Sequence, residues 1–380
     1  MTNPGAYNSY LEVNMAALRD NVGKVYAHLG GKCRLMPVVK ANAYSMGIER
    51  VTRLLSREFP VDMVGVAQVI EGLRLRAAGE KCEILVMGAA TKASVYSAIE
   101  AGLQLAVFQT EMLDEISACA LRAGKGPAKV HIKVDTGMNR IGARVGEELD
   151  GLIRRVASLS NIEVAGVFTH FATADEYESP HTIKAYRLFK EAVAQVRGAG
   201  LSPEYIHCSN SGATVWLKEA MDFCTHVRPG SLYLGYDVMV DRSNPLKVAE
   251  AASWRARITN IHTVNPGEGV GYSRHFQPQK PTKVATVDIG YGDGLFRPMV
   301  QNGGPVLIGD TRTKYLACCM DQCMVDASGI DCKVGDEVTI IGYSRGGALL
   351  SAFEIEAFTG QCYQNALCSI NDRVARVYTE

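Results

Sequence analysis

The sequence predicts an α/β fold, with an N-terminal (β/α)8 barrel of the TIM type and a C-terminal β-rich domain. Three observations predict it. Eight short apolar, β-branched runs alternate with amphipathic stretches through the first part of the chain. After about Asp241 the texture changes to short alternating runs punctuated by Gly, Asp and Asn. Polar residues able to carry chemistry collect at the C-terminal ends of the apolar runs, where a barrel opens its active site.

Taken in order, a helical pattern at 15–29 precedes the first apolar run. The runs are 35–39, 63–67, 83–87, 104–108, 129–134, 164–169, 205–208 and 225–227. Helical patterns at 69–78, 111–122, 147–158, 179–197 and 211–218 lie between them. Eight strands over about 195 residues match the scale of a compact eight-unit barrel. The alternation argues for a parallel sheet with right-handed crossovers. A helix ahead of the first strand leaves room for irregular closure. A doubly wound open sheet is the alternative, but it would normally carry a Gly-rich phosphate fingerprint after an early strand, and none stands at Lys40. Beyond Asp241 the runs 253–264, 283–289, 304–308, 314–319 and 337–341 read as strands of a second domain. The expected division is a barrel at 10–241 and a β domain at 242–380, with residues 1–9 joining the latter.

Composition narrows the class. Apolar residues make up 47% and charged residues 21%, as in an ordinary globular protein. The 40 Lys and Arg balance the 40 Asp and Glu, so no basic stripe points to nucleic acid. The start, Met1-Thr2-Asn3-Pro4-Gly5, lacks a signal pattern, and no apolar run reaches the length of a membrane span. The 11 cysteines are odd in number and scattered, which reads as reduced thiols of a cytoplasmic protein. Cys318, Cys319 and Cys323 cluster, but no ligand pair sits at zinc spacing, so they read as packed small hydrophobes and no metal is expected.

The most informative position is Lys40, at the end of the first apolar run. Lysine is seldom buried unless something pairs or reacts with it. A desolvated amine loses its proton more readily and attacks aldehydes, the chemistry of a Schiff base with pyridoxal 5'-phosphate (PLP). A lysine snorkelling from a strand end is the plain alternative. Other polar residues follow the later runs. The fifth gives His131, Lys133 and Asp135, then Thr136-Gly137-Met138-Asn139-Arg140. The sixth ends Thr169-His170, the seventh His207-Cys208-Ser209-Asn210-Ser211, and the eighth Arg228-Pro229-Gly230-Ser231. Asn210, Ser211, Gly230 and Ser231 supply hydroxyl and backbone N–H groups for a phosphate, although a Ser before a helix is usually just a cap. Lys133 could simply pair with Asp135, since strand alternation puts both on one face.

Together these residues resemble the alanine racemase family, the fold-type III PLP enzymes, along nearly the whole chain. The resemblance rests on Val39-Lys40-Ala41-Asn42-Ala43-Tyr44 and on Lys133-Val134-Asp135-Thr136-Gly137-Met138-Asn139-Arg140-Ile141-Gly142. It continues through Thr169-His170-Phe171-Ala172, Asn210-Ser211, Arg228-Pro229-Gly230, Gly271-Tyr272, Ile289-Gly290-Tyr291-Gly292-Asp293-Gly294 and Met320-Asp321-Gln322. Ser45-Met46-Gly47 departs from the usual Gly-His-Gly. The resemblance implies a cytoplasmic homodimer with shared active sites that makes D-alanine. Lys40 would hold PLP and act as one base, with Tyr272 of the partner subunit as the other. Racemisation needs two such groups on opposite faces of the substrate. Tyrosine ordinarily titrates near pH ~10, so a tyrosine base needs a cationic setting, and Arg228 and His170 are the candidates.

Arg228 would face the pyridine nitrogen with His207 behind it. Tyr44, Ser211, Gly230 and Ser231 would bind the phosphate, with Asn210 and His170 also lining the cofactor. Arg140 and Met320 would meet the substrate carboxylate, and Tyr291 and Arg297 would line the entrance. Lys133 matches a position that becomes an N-carbamate, which would hold Arg140. Near the C-terminus, where the family commonly has a tyrosine, this chain has Asn371-Asp372 before Arg373-Val374. A small polar group there enlarges the pocket and makes serine, or both alanine and serine, a plausible substrate. Relatives with an asparagine there can carry a membrane-spanning domain, so the chain is expected to be either a soluble enzyme or an excised catalytic part. Competing readings are an amino-acid decarboxylase, which usually places an acid at the pyridine nitrogen, and a PLP carrier, which needs neither a β domain nor Gly271-Tyr272.

Overall fold

A computed structural model describes residues 4–241 and 244–380. By its internal packing the chain forms two compact units. One takes in residues 20–43 and 47–248; the other takes in the N-terminal residues up to Arg19, Tyr44–Met46 and Ala249–Glu380.

The first unit is the parallel sheet. Its strands run in the order Arg34–Leu35, His226–Val227, Tyr205–His207, Ile162–Phe168, Ala128–Asp135, Gln104–Val107, Glu83–Val86 and Met63–Val66. Their apolar runs are buried, as strands covered on both faces must be. The first strand is shorter than its apolar run because Pro37 has no N–H to give. Its hydrogen bonds nonetheless continue: Met36 and Val38 donate to the carbonyls of Val227 and Pro229, while Val39 donates to Gly65. The Val38–Gly65 bridge brings first and last strands of the sheet together, so the barrel is nearly closed. Helices Ile48–Glu58, Val69–Ala77, Lys92–Glu100, Thr110–Ala123, Glu147–Ala157 and Pro180–Gly198 follow successive strands. Two of these, 48–58 and 92–100, are absent from the sequence expectation.

The second unit is β-rich. The strand Ala252–Val264 shifts register near Ile258, so its two halves serve different neighbours. It pairs with Ser9–Asn14, Thr282–Val287 and Glu337–Tyr343. With Cys323–Asp326, Thr311–Cys318 and Pro305–Ile308 between the last two, the pairing closes a six-stranded ring. Ser9–Asn14 also pairs in parallel with Ala375–Thr379, tying the two ends of the chain into one sheet. Val264, Val270, Val284, Leu316 and Ala317 form part of its core. Among the described residues no helix is long and apolar enough to cross a membrane.

Candidate active site

Lys40 stands where the first barrel strand gives way to a turn of the wrong hand. Ala41, Asn42 and Ala43 have φ of 52°, 56° and 51° with ψ of 48°, 43° and 51°, a left-handed helical turn built without glycine. L-residues adopt it at roughly 1–2 kcal/mol each, so something must hold it. Glu71 does much of this. One carboxylate oxygen accepts from the Ala41 N–H at 2.6 Å, and the other accepts from Ala67 and Gln68 at 2.8 and 3.0 Å. The Asn42 side chain accepts from Ile48 N–H at 2.9 Å. The backbone beside Lys40 is thus fixed by a carboxylate that sequence reading missed. The available signal was Gln68-x-x-Glu71 at a helix start.

Arg228, just past the last barrel strand, is 3% exposed. Its Nη1 donates to His207 Nδ1 at 3.0 Å. Its Nη2 lies 2.6 and 3.3 Å from the Thr169 and Cys208 carbonyls and 3.4 Å from His170 Nδ1. Burial draws its pKa down to about 10, so it stays a cation at neutral pH. The His170 ring is pushed well below the ordinary 6.5 by burial first, then by Arg228, Arg140, Lys133 and Lys40. It is therefore a neutral imidazole.

Lys133 is 5% exposed, with its Nζ 3.4 Å from the Met87 carbonyl and 5.0 Å from the centre of the Phe168 ring. Burial, then the charges of Arg228, Arg140 and Lys40, lower its pKa to about 7. Pairing with Asp135, open on sequence grounds, is not what the structure has. The Asp135 carboxylate accepts instead from the Gly137 and Asn139 N–H groups, at 2.9 and 3.1 Å, and shapes the loop that leads to Arg140. On the neighbouring rim, Asn210 caps the helix Ser211–Trp216 by accepting from Ala213 N–H at 3.1 Å. Ser211 Oγ accepts from Gly230 N–H at 2.9 Å, and Ser231 is buried next in the chain. The structure thus brings Lys40, Lys133, His170, His207, Asn210, Ser211, Arg228, Gly230 and Ser231 to strand ends of one barrel, with Arg140 on an adjoining loop.

The remaining candidates belong to the β-rich unit. Tyr44 continues the left-handed turn at φ 52° and packs with that unit. Tyr272 follows Gly271, whose φ of 73° turns the chain outward, and is 77% exposed. Tyr291, Met320 and Asn371 converge on one cluster of loops. Gly292 N–H donates to the Met320 carbonyl at 2.8 Å, and Asn371 Nδ2 donates to the Gly292 carbonyl at 2.7 Å. Asn371 Oδ1 accepts from Arg373 N–H at 3.0 Å. Arg373 bridges Asp293 and Asp321 at 2.8 and 2.7 Å, and Arg297 lies over the Tyr291 ring at 5.6 Å. Asp372 is exposed on the same segment. All 11 cysteines are free thiols, and no cluster of His, Cys, Asp and Glu among the described residues could hold a metal.

A buried, cation-ringed amine at a barrel's C-terminal rim, joined in sequence to a β domain, defines a class of two-domain barrel proteins with an amine at the site. Comparison with known proteins narrows it. The family model for the alanine racemase N-terminal domain matches residues 13–238, and that for the C-terminal domain matches residues 251–378. The chain is 34% identical over 373 residues to the alanine racemase of Desulforamulus reducens, covering 97% of this chain and 98% of that one. It is 32% identical over 382 residues to alanine racemase 1 of Bacillus subtilis, covering 100% and 95%. Among solved structures, alanine racemase from Clostridium difficile 630 superposes with a TM-score of 0.91 at 33% identity, covering 98% of this chain and 96% of that one. Alanine racemase from Bacillus anthracis with bound L-Ala-P gives 0.92 at 30% identity, covering 98% and 95%. The chain belongs to the alanine racemase family, and with it to the isomerases.

Proposed function

We propose that this chain is a PLP-dependent racemase that interconverts L- and D-alanine in a homodimer, with Lys40 and Tyr272 of the partner subunit as the two bases. The observation that carries the reading is the cation cluster on the barrel rim. Lys40, Lys133, Arg140 and Arg228 act on common neighbours, with Asp135 as the opposing charge. Such a site is suited to a ligand with a phosphate and a carboxylate.

The residues present fit PLP. Arg228 is a buried guanidinium held by His207 and the Thr169 carbonyl, and it can only donate, as expected of a partner for the pyridine nitrogen. The hydroxyls of Ser211 and Ser231, with the backbone between Asn210 and Ser231, suit a phosphate. PLP, when bound, withdraws electrons from the α-carbon of an attached amino acid and so acidifies its C–H. The chain's own groups do the rest. The fixed turn aims the Lys40 amine, which takes and returns the α-proton on one face. The exposed Tyr272 phenol serves the opposite face in a neighbouring subunit. Arg228, unable to hand over its proton near neutral pH, keeps a hydrogen-bond donor at the ring nitrogen without protonating it. Lys133 as a carbamate would hold Arg140 for the substrate carboxylate, with the Met320 N–H on the same group. The Asn371–Asp372 segment remains the candidate determinant for serine.

The test is racemisation of L-alanine and L-serine side by side in heavy water, with the visible absorbance of bound cofactor recorded on the same sample. Exchange of the α-proton with inversion, lost in both Lys40→Ala and Tyr272→Phe, is expected. A cofactor band with neither exchange nor inversion of alanine would overturn the reading.

A further inference from the structure

Behind Arg228 the barrel core holds a continuous line of polar side chains. His207 Nε2 lies 3.0 Å from His131 Nδ1, His131 Nε2 lies 2.7 Å from Gln104 Oε1, and Gln104 Nε2 lies 2.9 Å from Glu83 Oε2. His131 and His207 are fully buried, and Gln104 is nearly so. The five residues come from five strand segments. Glu83 and Gln104 open their strands, His131 lies mid-strand, His207 ends its strand, and Arg228 follows the next. The line therefore crosses the barrel from its N-terminal end to its active-site end.

Every hydrogen in this line has one place to sit. A guanidinium only donates, so His207 Nδ1 must accept and its proton must sit on Nε2. That proton points at His131 Nδ1, so the His131 proton sits on Nε2 and points at Gln104. Gln104 Oε1 accepts it, and the Gln104 amide donates to a carboxylate that can only accept. The donor-only end and the acceptor-only end force the same direction, and both imidazoles must be neutral. The fold makes room for this. A Cβ at Gly166 would lie 2.3 Å from His131 Nδ1, so only glycine leaves space for the ring. The Phe168 ring stacks on His207 at 5.0 Å and 11°, fixing its plane.

We infer that Glu83, Gln104 and His131 are positioning residues that fix the tautomer of His207 and thereby aim and polarise Arg228 toward the cofactor ring nitrogen. The role toward the cofactor rests on the proposed PLP function; the tautomer chain itself does not. Without the Gln104 acceptor, His131 gains by turning its proton elsewhere. His207 then loses its partner, and the Nδ1 lone pair facing Arg228 is no longer enforced.

The test uses the whole 380-residue chain with 15N-labelled histidine. In the wild type, His131 and His207 should show the nitrogen signals of neutral, Nε2-protonated rings at neutral pH. Gln104→Met keeps the volume and removes the acceptor. It should change the His207 signals, shift the visible band of the cofactor-loaded enzyme, and lower kcat roughly tenfold with KM within about twofold, as outer groups behind a polar site do. An Nδ1–H or charged His207 in the wild type would overturn the tautomer chain. A wild-type-like band and kcat in Gln104→Met, with altered His207 signals, would overturn the positioning role. If wild-type protein binds no PLP, the PLP reading fails, while the histidine signals still decide the chain.

Discussion

Replacing Lys133 with methionine should stabilise the protein in acid while abolishing its reaction with carbon dioxide. The lysine pKa falls from the ordinary 10.5 to about 7, chiefly through burial and then through Arg228, Arg140 and Lys40. In the unfolded chain the group titrates at its ordinary value. Between about pH 7 and 10.5 the unfolded state therefore binds more protons, and stability rises with pH. Below about pH 7 the native state carries the whole penalty of a buried ammonium among cations. A gap of that size corresponds to an upper figure of roughly 4–5 kcal/mol at about 1.4 kcal/mol per pH unit. Methionine fills a similar volume without the charge, so Lys133→Met should gain a few kcal/mol at pH 6 and little at pH 10. The assay is urea unfolding over a pH series in buffer freed of carbon dioxide. At pH 7.5 about three-quarters of such amines are neutral, against about one in a thousand for an ordinary lysine, so the native protein should take up carbon dioxide as a carbamate. Carbon-13 NMR in labelled bicarbonate reads this out, with Lys133→Met as the blank. Parallel stability curves for wild type and variant, with no carbamate signal in either, would refute the reasoning.

Glu71→Gln should lower stability by roughly 2–4 kcal/mol, because an amide cannot give two acceptor oxygens to three backbone N–H groups. It should also slow turnover more than the unfolded fraction explains, which unfolding curves and racemisation rates from one sample will separate. Gly166→Ala should destabilise by about 1–3 kcal/mol, since its Cβ meets the His131 ring, and calorimetry on the variant checks it. His131 is pushed down to about 3, chiefly by burial, and His207 well below 6.5. Stability that both contribute is complete above about pH 6.5 and is lost as pH falls toward 3, so acid unfolding should be shallower in His131→Gln than in wild type.

Much of this was legible in the chain because parallel strands buried on both faces announce themselves as apolar runs. All eight runs became strands of the barrel sheet. The polar rim was legible for a related reason: Lys40, Lys133, His170 and Arg228 each break or end such a run. Less visible were groups whose importance comes from what they meet across the fold. Glu71 reads as an ordinary helix-start carboxylate until Ala41 N–H is found beside it. Gln104 and Glu83 read as polar first residues of strands, and only register aligns them with His131. The left-handed turn at 41–45 was hidden altogether, because Ala-Asn-Ala-Tyr-Ser contains no glycine to advertise positive φ. The β unit was harder than the barrel: the strand 323–326 and the terminal strands 9–14 and 375–379 are short or pair with distant segments, so local pattern carries little of their signal.

The same bonds that let the barrel bury polar groups also prepare its site. A buried guanidinium is tolerable only if its N–H groups find acceptors, and an imidazole can be a buried acceptor only while it is neutral. Two neutral histidines, their rings set edge to face at 62°, meet both needs, handing the hydrogen-bonding demand of Arg228 across the core to Glu83, which reaches the surface beside Lys129 at 3.6 Å. Three groups therefore need not sit at the active-site end to set its charge. What remains at that end is a set of cations that repel one another, Arg228 among them. Burial first, and then that repulsion, lowers the Lys133 pKa, and the cations favour anions in the same place. Stability lost to mutual repulsion there returns as affinity for a phosphate, a carboxylate or a carbamate, so the cost of gathering the cations and their selectivity for anions are a single electrostatic fact.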